Sequence, residues 1–151
     1  MVKHGRPSEF FQLAWTPEVA DSMGVKIGLP AHQTCFEFAA LYLTLRLWAD
    51  GYTSKGLAIL GDNVSSLACA VSFRGRGSLT RISREIAWRK VRRAWRFKVA
   101  HVPSERNETA DSLSRTAAPT SSEHKAFPAA ALRGATRRDT PPVSDWWRAS
   151  R

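Results

Sequence analysis

Leu57-Ala58-Ile59-Leu60, closed by Gly61-Asp62-Asn63, is the stretch on which the fold turns. Four apolar residues between turn formers are too few for a helix and too uniformly apolar for a surface strand, so they read as a buried β-strand. Phe97–Val102 (FKVAHV) alternates apolar and polar residues up to Pro103 and reads as a second strand. Two helical stretches separate them: Val64–Phe73, ended by Gly75 and Gly77, and a long one running from a Ser78 cap to about Trp95. A strand that returns through helices to another strand implies parallel pairing of Leu57–Leu60 with Phe97–Val102.

Upstream, Phe36, Ala40, Leu43 and Leu47 recur at four, three and four residues, which predicts a helix over Cys35–Ala49 with Gly51 beyond its end. Thr16–Leu29, with Pro17, Gly24 and Gly28, reads as a loop with at most one helical turn, and Glu9–Trp15 (EFFQLAW) as a strand. Downstream, Asn107–Arg115 reads as a short terminal helix. The order strand, helix, strand, helix, helix, strand, helix is that of an α/β layer fold. Residues 1–115 form the patterned body. Residues 116–151, rich in Ala, Pro, Ser, Thr and Arg, are expected to be a disordered basic tail, with Trp146 and Trp147 exposed in it.

The chain has 151 residues, 23 Lys plus Arg against 13 Asp plus Glu, a net charge of +10 and a pI near 10.6. That length suits one domain, and the charge excess points to a polyanionic partner, nucleic acid first. No apolar run approaches the ~20 residues of a membrane span, and no secretory signal pattern opens the chain. Cys35 and Cys69 lack metal-type spacing and a disulfide framework. A reducing intracellular compartment, cytoplasmic or nuclear, is therefore expected, with no membrane partner.

Three acidic residues stand where a parallel sheet gathers ligand-binding groups. Asp62 follows Leu57–Leu60 at its carboxyl end, Glu37 lies in the first turn of the Cys35–Ala49 helix, and Asp111 lies on the helix after the second strand. Clustered carboxylates bind Mg²⁺, and two such ions about 4 Å apart can activate water against a phosphodiester. Each residue also has an ordinary structural role open to it. Thr34-Cys35-Phe36-Glu37 fits a capping box, Asp62 a helix N-cap, Asp111 a solvated helical position, and His101 a surface histidine at a strand end.

The combination is more specific. Asp62-Asn63 after an apolar strand, followed by His101-Val102-Pro103-Ser104-Glu105-Arg106-Asn107-Glu108-Thr109-Ala110-Asp111-Ser112-Leu113-Ser114-Arg115, resembles the ribonuclease H domain of retroelement reverse transcriptases. The string is most similar to domains of LTR-type and tyrosine-recombinase-type retrotransposons, as is Phe36-Glu37 followed by Leu41–Trp48. The similarity runs from about Phe10 to Arg115. It implies a three-layer fold on a mixed sheet, with Glu37, Asp62 and Asp111 as ligands of two Mg²⁺ (or Mn²⁺) ions. It also implies that His101 is a mobile loop histidine aiding product release or proton transfer, with Asn63 and Asn107 beside the nucleic acid. The implied substrate is an RNA–DNA hybrid.

The family pattern begins with Asp-x-Ser/Ala-x-x-Gly on a central strand, and nothing here matches it. Asp21 sits in the Pro/Gly-bounded loop, sixteen residues before Glu37. The chain therefore reads as truncated at its N-terminus, lacking the first strand, most or all of the second and an upstream reverse transcriptase segment. Three expectations follow: an incomplete metal shell, strongly reduced catalysis and an open edge on Leu57–Leu60.

Between Arg81 and Lys98 there are eight Lys or Arg and one Glu. Arg89, Arg92, Arg93 and Arg96, at three- and four-residue steps, are expected to line one helix face toward phosphates, with Trp88, Val91 and Trp95 packed on the sheet. Such contacts position a duplex without reading its sequence. Two alternatives remain open: a non-catalytic nucleic-acid-binding relic, and an unrelated basic α/β protein.

Overall fold

The structure, a computed structural model, describes residues 1–3, 6–116 and 124–147. In chain order the strands β1 (Val2–Lys3), β2 (Arg6–Pro7) and β3 (Glu9–Phe10) precede the helices α1 (Pro17–Met23) and α2 (Gln33–Trp48). Then come β4 (Gly56–Gly61), α3 (Val64–Ser72), α4 (Leu79–Arg92), β5 (Arg96–His101), α5 (Glu108–Arg115) and β6 (Thr136–Arg137). Among the described residues the architecture is mixed α/β, with five α-helices, two small parallel sheets and the antiparallel pair of β1 with β2. Among the described residues, no helix is long and apolar enough to cross a membrane.

The chain divides into two compact units, Trp15–His101 with Pro141–Arg151, and Met1–Ala14 with Val102–Thr140. In the larger unit β4 and β5 pair in parallel, as the sequence predicts, with Leu57 opposite Phe97 and Gly61 opposite His101. Helix α3 packs on this pair, and α2 packs against α3 and α4. The sheet has two strands only, so its alternation shows: Leu57, Ile59, Phe97 and Val99 are half-buried, while Ala58, Leu60, Lys98 and Ala100 face outward. The expected buried strand is thus corrected, because among the described residues nothing covers the Leu60 side.

Helix α2 buries a broader face than the Phe36–Leu47 stripe. Cys35, Phe38, Ala39, Tyr42 and Leu45 are buried as well as Phe36 and Leu43, while Ala40 and Leu47 are only half-buried. A helix with neighbours on more than one side needs such a face. The Thr16–Leu29 loop is also corrected. Pro17 opens α1 instead of breaking it, because the first turn needs no amide donor there. The Thr16 hydroxyl accepts from the Val19 amide at 3.3 Å, and Gly24, at φ +68°, ends the helix in the left-handed region. At Gly75 a Cβ would stand 2.5 Å from the Leu79 carbonyl oxygen, so only glycine fits the tight approach between α3 and α4.

The largest departure concerns the Trp pair. Trp146 is fully buried and Trp147 nearly so, in the larger unit. The Tyr42 hydroxyl donates to the Trp146 carbonyl, and the Tyr42 ring stacks on Trp147 with centroids 5.6 Å apart. Arg46 Nη1 donates to the Asp145 carbonyl at 2.7 Å, and the Trp146 indole N–H donates to the Pro141 carbonyl at 2.9 Å. The expected exposed pair is therefore a core element, because α2 offers it an aromatic and polar seat.

In the smaller unit the expected strand Glu9–Trp15 shrinks to β3. Its partner β6 is two residues long, and the chain beyond soon reaches Pro141 and Pro142, which have no amide to donate. Glu9 pairs with Thr136 and Phe10 with Arg137 in parallel. Residues 124–147, inside the stretch expected to be disordered, thus supply a strand and two buried tryptophans; 117–123 and 148–151 lie outside the described residues.

Candidate functional site

The carboxyl edge of the β4–β5 pair brings two of the expected site residues together. Gly61 stands opposite His101, and Asp62 follows Gly61 directly, so Asp62 and His101 share the edge where parallel sheets place ligands. Asp62 is half-buried and His101 exposed. The helix that leaves this edge is capped by Asn63, whose Oδ1 accepts from the Ser66 amide at 2.8 Å. The N-cap role expected of Asp62 by default belongs to Asn63, which leaves the Asp62 carboxylate outside the helix's first turn.

Glu37 lies in the second turn of α2, not the first, since the helix already begins at Gln33. It is half-buried and accepts from Gln33 Nε2 at 3.1 Å. The Thr34–Glu37 capping box is not formed: Thr34 is inside the helix, and His32, at the cap position, makes no side-chain cap bond.

Asn107 and Asp111 belong to the smaller unit, where Asn107 precedes α5 and Asp111 sits in its first turn. Both oxygens of Asp111 are engaged, Oδ1 by Arg115 Nε at 2.7 Å and Oδ2 by Lys125 Nζ at 2.6 Å. The hydrogen bond from Lys125, helped by Arg115 and opposed by burial, holds this carboxyl below the usual range. As placed, Asp111 is a salt-bridged residue and does not fit the role of an open metal ligand. Among the described residues, no three His, Cys, Asp or Glu side chains form a group that could hold a metal ion.

Helix α4 corrects the expected division of its faces. The buried side carries Ile82, Ser83, Glu85, Ile86 and Arg89, while Val91 is 81% and Trp88 40% exposed. Arg89, expected to meet phosphate, is 7% exposed and forms an ion pair with Asp50. Its guanidinium also lies over the Tyr42 ring, 5.8 Å from the centroid. Arg93 is 3.9 Å from the other Asp50 oxygen. Arg92 is exposed, with its guanidinium 4.8 Å from the Trp88 ring centroid, and Arg96 is exposed on β5, beyond the helix end.

Sequence reasoning missed the polar cluster beneath this helix. Glu85 is 1% exposed, and burial raises its carboxyl above the usual range against the opposing pull of Arg89, Arg46 and Arg81. Its Oε2 has no hydrogen-bond partner among the described residues. The one available signal was a lone Glu in an Arg-rich helix. Burial also pushes the Cys35 thiol up to about 11, which leaves no thiolate nucleophile there at neutral pH.

Comparison with protein-family models, with curated proteins and with solved structures returned no match to this chain.

Proposed function

We propose that this chain is a ribonuclease H-like nucleic-acid-binding domain of a retroelement polyprotein, whose complete form hydrolyses the RNA of RNA–DNA hybrids. The observation that carries the reading is the shared carboxyl edge of β4 and β5, with Asp62 one residue past the Gly61–His101 pair. A carboxylate and an imidazole at the open end of a parallel pair are suited to holding a cation and moving a proton beside a phosphodiester. The net charge of +10 supplies the attraction to phosphate. The finer RNase H-like fold, with its three layers and mixed sheet, belongs to the same proposal.

In the complete domain Mg²⁺ or Mn²⁺ would supply Lewis acidity and an activated water. Asp62 and Glu37 are the residues of the larger unit that would hold it, while both oxygens of Asp111, in the smaller unit, are held by Arg115 and Lys125. That double ion pair favours a second reading, in which the chain is a non-catalytic nucleic-acid binder. Cleavage distinguishes the two.

The test is an RNA–DNA hybrid titration at several salt concentrations, with cleavage followed in Mg²⁺ and Mn²⁺. Binding should fall steeply with salt, because neutralised phosphates release counterions. Asp62→Asn should leave binding intact and remove any metal-dependent cleavage. No hybrid binding at low salt would defeat both readings, and binding without cleavage would leave the second standing alone.

A further inference from the structure

The outward face of α4 has a composition that packing does not explain. Its exposed side chains are Thr80, Arg81, Arg84, Trp88, Val91 and Arg92, and its one acidic residue, Glu85, points the other way into the protein. Every exposed charge on the helix is therefore positive. Trp88 lies at the middle of this arc, four residues after Arg84 and four before Arg92, so the three side chains form one row with about 6 Å of rise between neighbours. Three other tryptophans, Trp95, Trp146 and Trp147, are all buried. Trp88 leaves 40% of its surface in water, a cost that burial elsewhere in this protein avoids.

We propose that this row is a stacking site for an unpaired stretch of nucleic acid, with Trp88 taking a base while Arg84 and Arg92 take the flanking phosphates. It deepens the nucleic-acid reading above and rests on it. An exposed indole stacks on any base, because every base has a π-face, and flanking guanidiniums follow the backbone. The rise between successive members is on the scale of one unstacked nucleotide step. The Arg92 guanidinium lies over the indole, 4.8 Å from its centroid, so it covers part of one ring face and would swing to the flanking phosphate as the base stacks. Arg81 is differently engaged: it donates to the Ser22 carbonyl at 3.2 Å and lies over the Trp147 ring, which directs it away from the row. A duplex keeps its bases stacked on one another and offers Trp88 nothing to receive. The row thus selects single strands, or the single-stranded overhang beside a hybrid.

The proposal is tested by fluorescence anisotropy with dye-labelled oligo(dT) of about twelve nucleotides and, in parallel, a blunt RNA–DNA hybrid. With the full chain, Trp88→Ala should weaken oligo(dT) binding about ten- to a hundredfold while leaving the hybrid unchanged, and Trp88→Phe should recover most of the loss. Arg84→Gln and Arg92→Gln should each reduce the single-strand salt slope by about 0.7. Wild-type affinity in Trp88→Ala, or equal losses on oligo(dT) and hybrid, would overturn the stacking site while leaving nucleic-acid binding intact. Failure to bind either probe would defeat the underlying nucleic-acid reading as well. Displacement of oligo(dT) by polyglutamate as effectively as by unlabelled oligo(dT) would assign the face to an acidic peptide instead. A measurement free of variants is photocrosslinking of the unaltered chain to a 5-iodouridine oligonucleotide. The adduct should map to Trp88, and an adduct confined to other residues would overturn the proposal.

Discussion

Replacing Trp146 by alanine asks whether the far end of the chain is structural. Trp146 is fully buried, donates its indole N–H to the Pro141 carbonyl and stands edge-on to Trp147 with centroids 6.0 Å apart. Truncating a buried Trp costs about 3–5 kcal/mol, and loss of the edge-on aromatic contact adds about 1 kcal/mol. The unit it completes has roughly a hundred residues and a total stability on the order of 5–15 kcal/mol. Trp146→Ala therefore removes a large fraction of that stability. In urea unfolding followed by far-ultraviolet circular dichroism, a slope of about 2 kcal/mol/M converts the loss into a midpoint about 2–3 M lower. Trp88→Ala deletes the same side chain from a site of the same unit that leaves 40% of it exposed, and should cost clearly less than Trp146→Ala. Equal midpoints for Trp146→Ala and the parent would refute the placement of the Trp pair in the core.

Three further outcomes follow from the polar contacts. Arg89→Met should lower stability by about 1–3 kcal/mol, because Asp50 loses its main partner in a half-buried position, whereas Arg92→Met should be nearly neutral in the same melt. Burial raises the Glu85 carboxyl, so the folded state disfavours its ionised form. Its penalty is absent below the unfolded value near 4.5 and develops as pH rises through the folded one. Glu85→Gln should accordingly match the parent near pH 4 and exceed it at neutral pH, and a gap that widens toward acid would contradict this. Asp111 has the opposite sign: Lys125, then Arg115, depress its carboxyl, so its stabilisation is present above the unfolded value near 3.8 and lost as pH falls through the folded one. The stability difference between the parent and Asp111→Asn should shrink toward zero on acidification, as thermal melts across pH will show.

What could be read in advance depended on whether the deciding contacts were local. The parallel pairing of β4 with β5 was legible because four apolar residues and one alternating run, separated by two helices, admit few arrangements. So was the position of Asp62 at the strand's carboxyl end. The faces of α4 were not. The three- and four-residue steps from Arg89 to Arg96 assume one continuous helix, yet it stops at Arg92, and Ala94 turns through φ +52°. Trp95 and Arg96 thus lie beyond a change of direction, and their spacing no longer reports a shared face. Arg89 was misplaced for another reason: its partner Asp50 lies 39 residues earlier, and nothing in the sequence around Arg89 announces that pairing. The Trp pair was misread because its seat is built by Tyr42, 104 residues before Trp146, and by Arg46, 99 residues before the Asp145 carbonyl it holds. Asp111 kept its helical position, but Lys125, outside the motif, altered what its carboxylate touches.

The discontinuity of the larger unit sets a timetable during synthesis. Trp15–His101 emerges first, but the segment that seats on Tyr42 follows only after some forty residues that belong to the other unit. At ~5–20 residues per second, the ribosome leaves the aromatic seat of α2 open for about 2–8 s. Helices and the β4–β5 pair form far faster than that, so a nascent chain waits with an apolar and cationic surface uncovered. Closure then depends on contacts spanning most of the chain, which are slow to form and vulnerable to competitors. A holdase that binds aromatic surface would act within that interval and change how much of the protein reaches its closed form.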